Sequence, residues 1–82
     1  MSKTKKTREQ IVNQIYVSQE DIRRLFQIGY DKSKDLYRMC DEVENEELGK
    51  WRYEHRKVRM NTLLKISQVS LDQLRTQIKN AD

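Results

Sequence analysis

The 82-residue chain contains no proline and only two glycines, Gly29 and Gly49. These two residue types are the strongest punctuation a sequence carries. Their scarcity predicts almost continuous regular structure, divided into three parts at residues 29 and 49. A chain this short forms one domain with a small core, burying about two thirds of the surface its unfolded form exposes. It has no room for a large interior cleft, which argues against an enzyme.

Apolar spacing fills in the elements. Ser18 suits a helix N-cap, with Glu20 and Asp21 in the first turn, where acidic groups favour the positive end of the helix dipole. Val17 and Ile22 occupy the hydrophobic-staple positions around that cap. Ile22, Leu25 and Phe26 then lie on one face of a short helix that ends at Gly29, which is available for a left-handed C-terminal position. A second, longer helix follows, capped by Asp31 or Ser33, with Leu36, Met39, Cys40 and Val43 at helical spacing. Asp41, Glu42, Glu44, Glu46 and Glu47 crowd its end and oppose the dipole, so it should fray before Gly49.

Beyond Gly49 the pattern changes. In GKWRYEHRKVR, residues 49 to 59, Trp51, Tyr53 and Val58 alternate with cations, which predicts two short strands around Glu54, His55 and Arg56 with Trp51 and Tyr53 packed inward, the competing reading of these rings being a base-stacking platform. Helical spacing returns with Leu63, Leu64, Ile66 and Val69. Ser70 and Gln73 form a capping box for a last helix striped by Leu71, Leu74 and Ile78. The expected division is a basic arm over 1–14, a main domain over 15–66 and a helical extension over 67–82. The arm, with Lys3, Lys5, Lys6 and Arg8, is either a polyanion-seeking segment or a solvated terminus without a role.

Charge narrows the class of partner. Seventeen Lys and Arg stand against thirteen Asp and Glu, a net charge of +4, with a pI near 9.3. A small basic domain is a common footprint of nucleic-acid binding. The single cysteine, Cys40, precludes an internal disulfide and reads as a buried, inert thiol. His55 is the only histidine and has neither a second ligand nor a nucleophile motif beside it, so no metal, cofactor or catalytic residue is expected. No apolar run reaches the length of a membrane span, and the start MSKTKKTREQ lacks the apolar segment of a secretory signal. The expectation is a soluble cytoplasmic protein, with no membrane partner and no small-molecule substrate.

The order of helix, glycine turn, helix, hairpin and helix is the helix-turn-helix plan followed by a wing. The stretches YVSQEDIRRLF, IGY, SKDLYR and KVRMNTLLK, over residues 16 to 66, resemble the small winged helix-turn-helix proteins of phages and integrative elements, which include excisionases and MerR-like regulators. DKSK carries one residue more than the usual glycine-x-Ser turn of those proteins. The resemblance implies a mainly α fold with a small β-hairpin, and a sequence-specific DNA-binding protein of a bacterial host's nucleoid, acting in recombination or transcription regulation. It also implies double-stranded DNA as partner, with a recombinase, or a second copy joined through the C-terminal helix, as a further contact.

On this plan Lys32, Ser33, Lys34, Tyr37 and Arg38 of the second helix face the major groove; the competing reading of the cations is a solvated helix face. Tyr37 either contacts phosphate or packs against the first helix. Arg52, His55, Arg56, Lys57 and Arg59 of the wing face the backbone or the minor groove. The acidic run Asp41 to Glu47 reads as a solvated face turned away from DNA. The alternative from another class is a small helical interaction module, an anti-repressor or adaptor, that docks a protein through its amphipathic last helix.

Overall fold

The computed structural model describes residues 6–52 and 54–81. Among these residues, five α-helices and one small antiparallel sheet enclose a core that runs from Ile11 to Ile78 and includes Val17, Ile22, Leu25, Cys40, Val58, Met60 and Leu63. The fold is mainly helical.

The first helix, α1 (Arg8–Val12), lies within the segment expected to be a loose arm. Thr7 caps it: the Thr7 hydroxyl accepts from the Gln10 backbone N–H, and the Gln10 side-chain oxygen accepts from the Thr7 N–H. Ile11 and Val12 are buried, because α1 packs against α5 (Leu71–Ala81), whose Leu74 and Ile78 are buried in the same core. Side chains close the edges of this pair, with Arg8 donating to Gln77 at 3.1 Å and Arg75 to Asn13 at 3.2 Å. The Ser70–Gln73 capping box of α5 is present in both directions. The described residues of the expected arm, domain and extension are therefore parts of one packed body. The stripe expected to join two copies is occupied inside the chain.

Helix α2 (Gln19–Phe26) starts as anticipated. The Ser18 hydroxyl accepts from Asp21 N–H at 3.2 Å, and the Asp21 carboxylate accepts from Ser18 N–H at 3.1 Å, with both staple residues, Val17 and Ile22, fully buried. Its end differs. Gln27, not Gly29, takes the left-handed conformation, at φ 55°, and Ile28 N–H reaches back to the Arg23 carbonyl. Gly29 instead has an extended backbone and precedes α3 (Tyr30–Leu48), so the second helix starts before either expected cap, Asp31 or Ser33.

Helix α3 runs unfrayed to Leu48, with Gly49 at φ 53° closing it. Its acidic end is neutralised from outside: Asp41 pairs with Arg52, Glu44 with Arg59, and Glu47 with Arg59 and Lys65. Three of the five acidic residues are thus ion-pair partners; Glu44 is buried, while Glu42, Glu46 and Glu47 remain exposed. Burial lifts the Cys40 thiol to about 11, with the Glu44 charge adding, so it stays protonated and unreactive.

Among the described residues of 51–58 the expected hairpin does not form. Gly49–Trp51 is a single 3-10 turn, and Trp51 is 78% exposed rather than packed inward; Tyr53 lies outside the described residues. Strand β2 (Val58–Arg59) pairs instead with β1 (Tyr16–Val17), ahead of α2, in the register Tyr16 to Arg59 and Val17 to Val58. Met60 N–H extends the ladder by donating to the Ile15 carbonyl at 2.7 Å. Helix α4 (Met60–Ser67) leaves directly from β2 and packs on α3.

Candidate nucleic-acid interface

Helices α2 and α3 are joined by only three residues, Gln27 to Gly29, and pack against each other. Along the outer side of α3, Lys34, Arg38, Asp41 and Asn45 recur at intervals of four, three and four, which places them on one edge of the helix. That edge spans about 16 Å at the helical rise.

The far half of this edge anchors the segment that follows. The Arg52 guanidinium reaches Asp41 at 2.6 Å and donates to Asn45 Oδ1 at 2.7 Å. It also donates to the Glu54 carbonyl at 3.1 Å and the Lys57 carbonyl at 3.3 Å. A planar fork of five N–H donors suits this gathering of acceptors. The side chain is only 2% exposed, so Arg52 works inside the loop it organises and is not a phosphate contact. Glu54 adds a turn of its own by accepting from Arg56 N–H at 3.0 Å. Together these bonds hold the loop of residues 52–57 at the end of the edge that carries Lys34 and Arg38.

The anticipated contact residues divide accordingly. Lys32, Lys34 and Arg38 of α3 and His55 and Arg56 of the loop are exposed, and Lys57 is half-buried. Arg38 is shared with Asp35 at 3.4 Å, both groups being open to solvent. Ser33 is fully buried and its hydroxyl donates to the Tyr30 carbonyl at 2.7 Å, so it cannot reach a groove. Tyr37 packs against the core; burial raises its hydroxyl above its ordinary value, and the Asp41 charge adds to this. Of the two roles open to it in the sequence, packing is the one observed.

Arg59 belongs to a second network. It donates to Glu44 at 2.8 Å and Glu47 at 2.9 Å, while Thr62 donates to Glu44 at 2.7 Å. Glu44 is fully buried. Burial pushes its carboxyl up, but the bonds from Thr62 and Arg59 outweigh this and leave it below its ordinary value. Arg59 is thereby committed to fixing β2 and α4 on α3.

Two further features of this surface escaped the sequence reading. One is the structural role of Arg52, foreshadowed only by Asp41 and Asn45 standing four residues apart on α3. The other is the exposure of Trp51, whose indole has the Lys50 ammonium 5.6 Å from its centroid. No family model, no curated protein and no solved structure matches this chain.

Proposed function

We propose that this chain is a double-stranded DNA-binding protein of winged helix-turn-helix type. In this reading α2, the three-residue turn and α3 form the helix-turn-helix, α3 enters the major groove, and the 52–57 loop takes the place of a wing. One observation carries the reading: Arg52 ties the cationic loop to the same edge of α3 that presents Lys34 and Arg38. This anchors the segment that carries His55, Arg56 and Lys57 to the helix that carries Lys34 and Arg38, as joint contact with a phosphate backbone would require.

The contact set is Lys32, Lys34 and Arg38 on α3 with His55, Arg56 and Lys57 in the loop. Lys34 and Arg38 are placed to donate to guanine edges or to phosphate, and the loop cations to the adjacent backbone. The role is binding rather than catalysis: an excisionase-like architectural factor or a transcription regulator of a phage or integrative element, with a recombinase as its protein contact. The adaptor reading relied on an apolar face of α5 that is covered by α1.

Gel-shift titration of the wild type against Arg56→Ala/Lys57→Ala on pooled duplex fragments tests the proposal. Weakened binding by the double variant is expected. Absence of binding by the wild type, or equal binding by both proteins, would overturn it.

A further inference from the structure

Trp51 is the chain's only tryptophan, and its ring is the most exposed large apolar side chain among the described residues. Exposing an indole gives up burial that a small domain can use, and most tryptophans are largely buried. Here the ring follows Gly49 and Lys50 on a 3-10 turn and immediately precedes Arg52. It therefore projects from the root of the loop that carries His55, Arg56 and Lys57. The Lys50 ammonium lies over the ring, 5.6 Å from its centroid, and the 78% exposure leaves the indole open to a flat partner.

A flat apolar face set among cations is complementary to a partner that combines flat apolar faces with regularly spaced negative charge. Nucleic acid has both, its bases for the ring and its phosphates for Lys50, Arg56 and Lys57. Within an intact duplex each base is already covered by its neighbours. A ring can stack only where a step is opened, at a kink, a gap or a single-stranded stretch.

We propose that Trp51, with Lys50 beside it, is a base-stacking site, so that the chain prefers DNA with an unstacked base next to duplex. This rests on the DNA-binding reading and adds a structural preference to it.

The sole tryptophan makes the test direct, because stacking on a base quenches indole emission. The full chain is titrated with labelled intact duplex, with the same duplex carrying a two-nucleotide gap, and with oligo-dT, following both indole emission and label anisotropy. The expected result is strong quenching and about tenfold tighter binding on the gapped duplex than on the intact one. That advantage should be lost in Trp51→Ala and largely kept in Trp51→Phe, with circular dichroism confirming that both variants are folded. Binding of labelled DNA with unchanged emission, or equal affinity for gapped and intact duplex, overturns the stacking site while leaving the DNA-binding reading intact. No anisotropy change with any of the DNAs overturns both.

Discussion

Arg52 and Asp41 meet at 2.6 Å, with the guanidinium 2% exposed and the carboxylate 35% exposed. A residue from the loop thus completes the surface of a helix that ended several positions earlier. The pair also shifts the local charge balance. It neutralises a carboxylate on the edge that carries Lys34 and Arg38, and through Arg52 it ties the Glu54 and Lys57 backbone to that end of α3.

Removing the fork should therefore loosen the loop and not only lower stability. Arg52→Ala is expected to cost about 2–3 kcal/mol in chemical denaturation, below the full cost of breaking a wholly buried pair because Asp41 retains solvent contact. Arg52→Lys should recover little of this, since one ammonium cannot serve four acceptors in a plane. Amide exchange in residues 54–57 should accelerate in both variants while that of α3 changes less.

The Glu44 network makes stability depend on acid. The folded carboxyl titrates below its ordinary value of 4.5, so its contribution is full above that pH and is lost as pH falls through the lower folded value. Asp21 acts in the same direction: burial raises its carboxyl, but bonds from Ser18, Gln14 and Lys6 bring it below its ordinary 3.8. Denaturant midpoints should be nearly flat above pH 5 and fall below pH 4.5. Glu44→Gln should lower stability at neutral pH by about 1–3 kcal/mol and flatten the acid limb.

Under the proposed DNA-binding role, ionic strength reports the phosphate contacts. With about five phosphates neutralised, log affinity should fall against log salt with a slope of roughly −4 to −5. Arg56→Ala/Lys57→Ala should reduce the steepness by about 2. Asp35→Asn frees Arg38 from its exposed partner and should tighten binding a few-fold. Fluorescence anisotropy at several salt concentrations reads all three effects.

The last helix is a core element. Leu74→Ala should destabilise the chain by about 2–4 kcal/mol, because it opens a cavity against Ile11 and Val12. Light scattering should give the same mass before and after the substitution. A change in mass would instead place Leu74 between copies.

Two helices end on glutamine in a left-handed conformation, Gln27 at φ 55° and Gln68 at φ 58°. A side chain there carries a steric cost that glycine lacks. Gln27→Gly and Gln68→Gly should each raise stability by about 0.5–1 kcal/mol, measured as a shift in thermal midpoint.

Local chemistry was legible where it is local. The Ser18 and Ser70 caps, the staple of Val17 and Ile22, and the burial of Cys40 follow from spacings within a few residues. What the pattern misjudged depends on distant partners. Alternation over Trp51 and Tyr53 is too short to separate a strand from a turn, and the partner of Val58 is Val17, not a neighbour in the chain. The acidic end of α3 looked unfavourable because Arg52, Arg59 and Lys65, its neutralising cations, come later in sequence. For the same reason the candidate surface was only half legible. Lys32, Lys34, Arg38, His55 and Arg56 are exposed as a polar pattern suggests, whereas Arg52 and Ser33 are buried and the partly exposed Arg59 is engaged by Glu44 and Glu47, differences that the sequence does not mark.

The pairing of Val17 with Val58 has a kinetic consequence. Those strands are two residues each, yet they close a ring of about forty residues that contains α2, α3 and the basic loop. Closing such a ring costs chain entropy before its few ladder bonds return anything. The sheet therefore forms only after α2 and α3 have docked and shortened the path between its strands. It acts as the clasp of the fold rather than its seed.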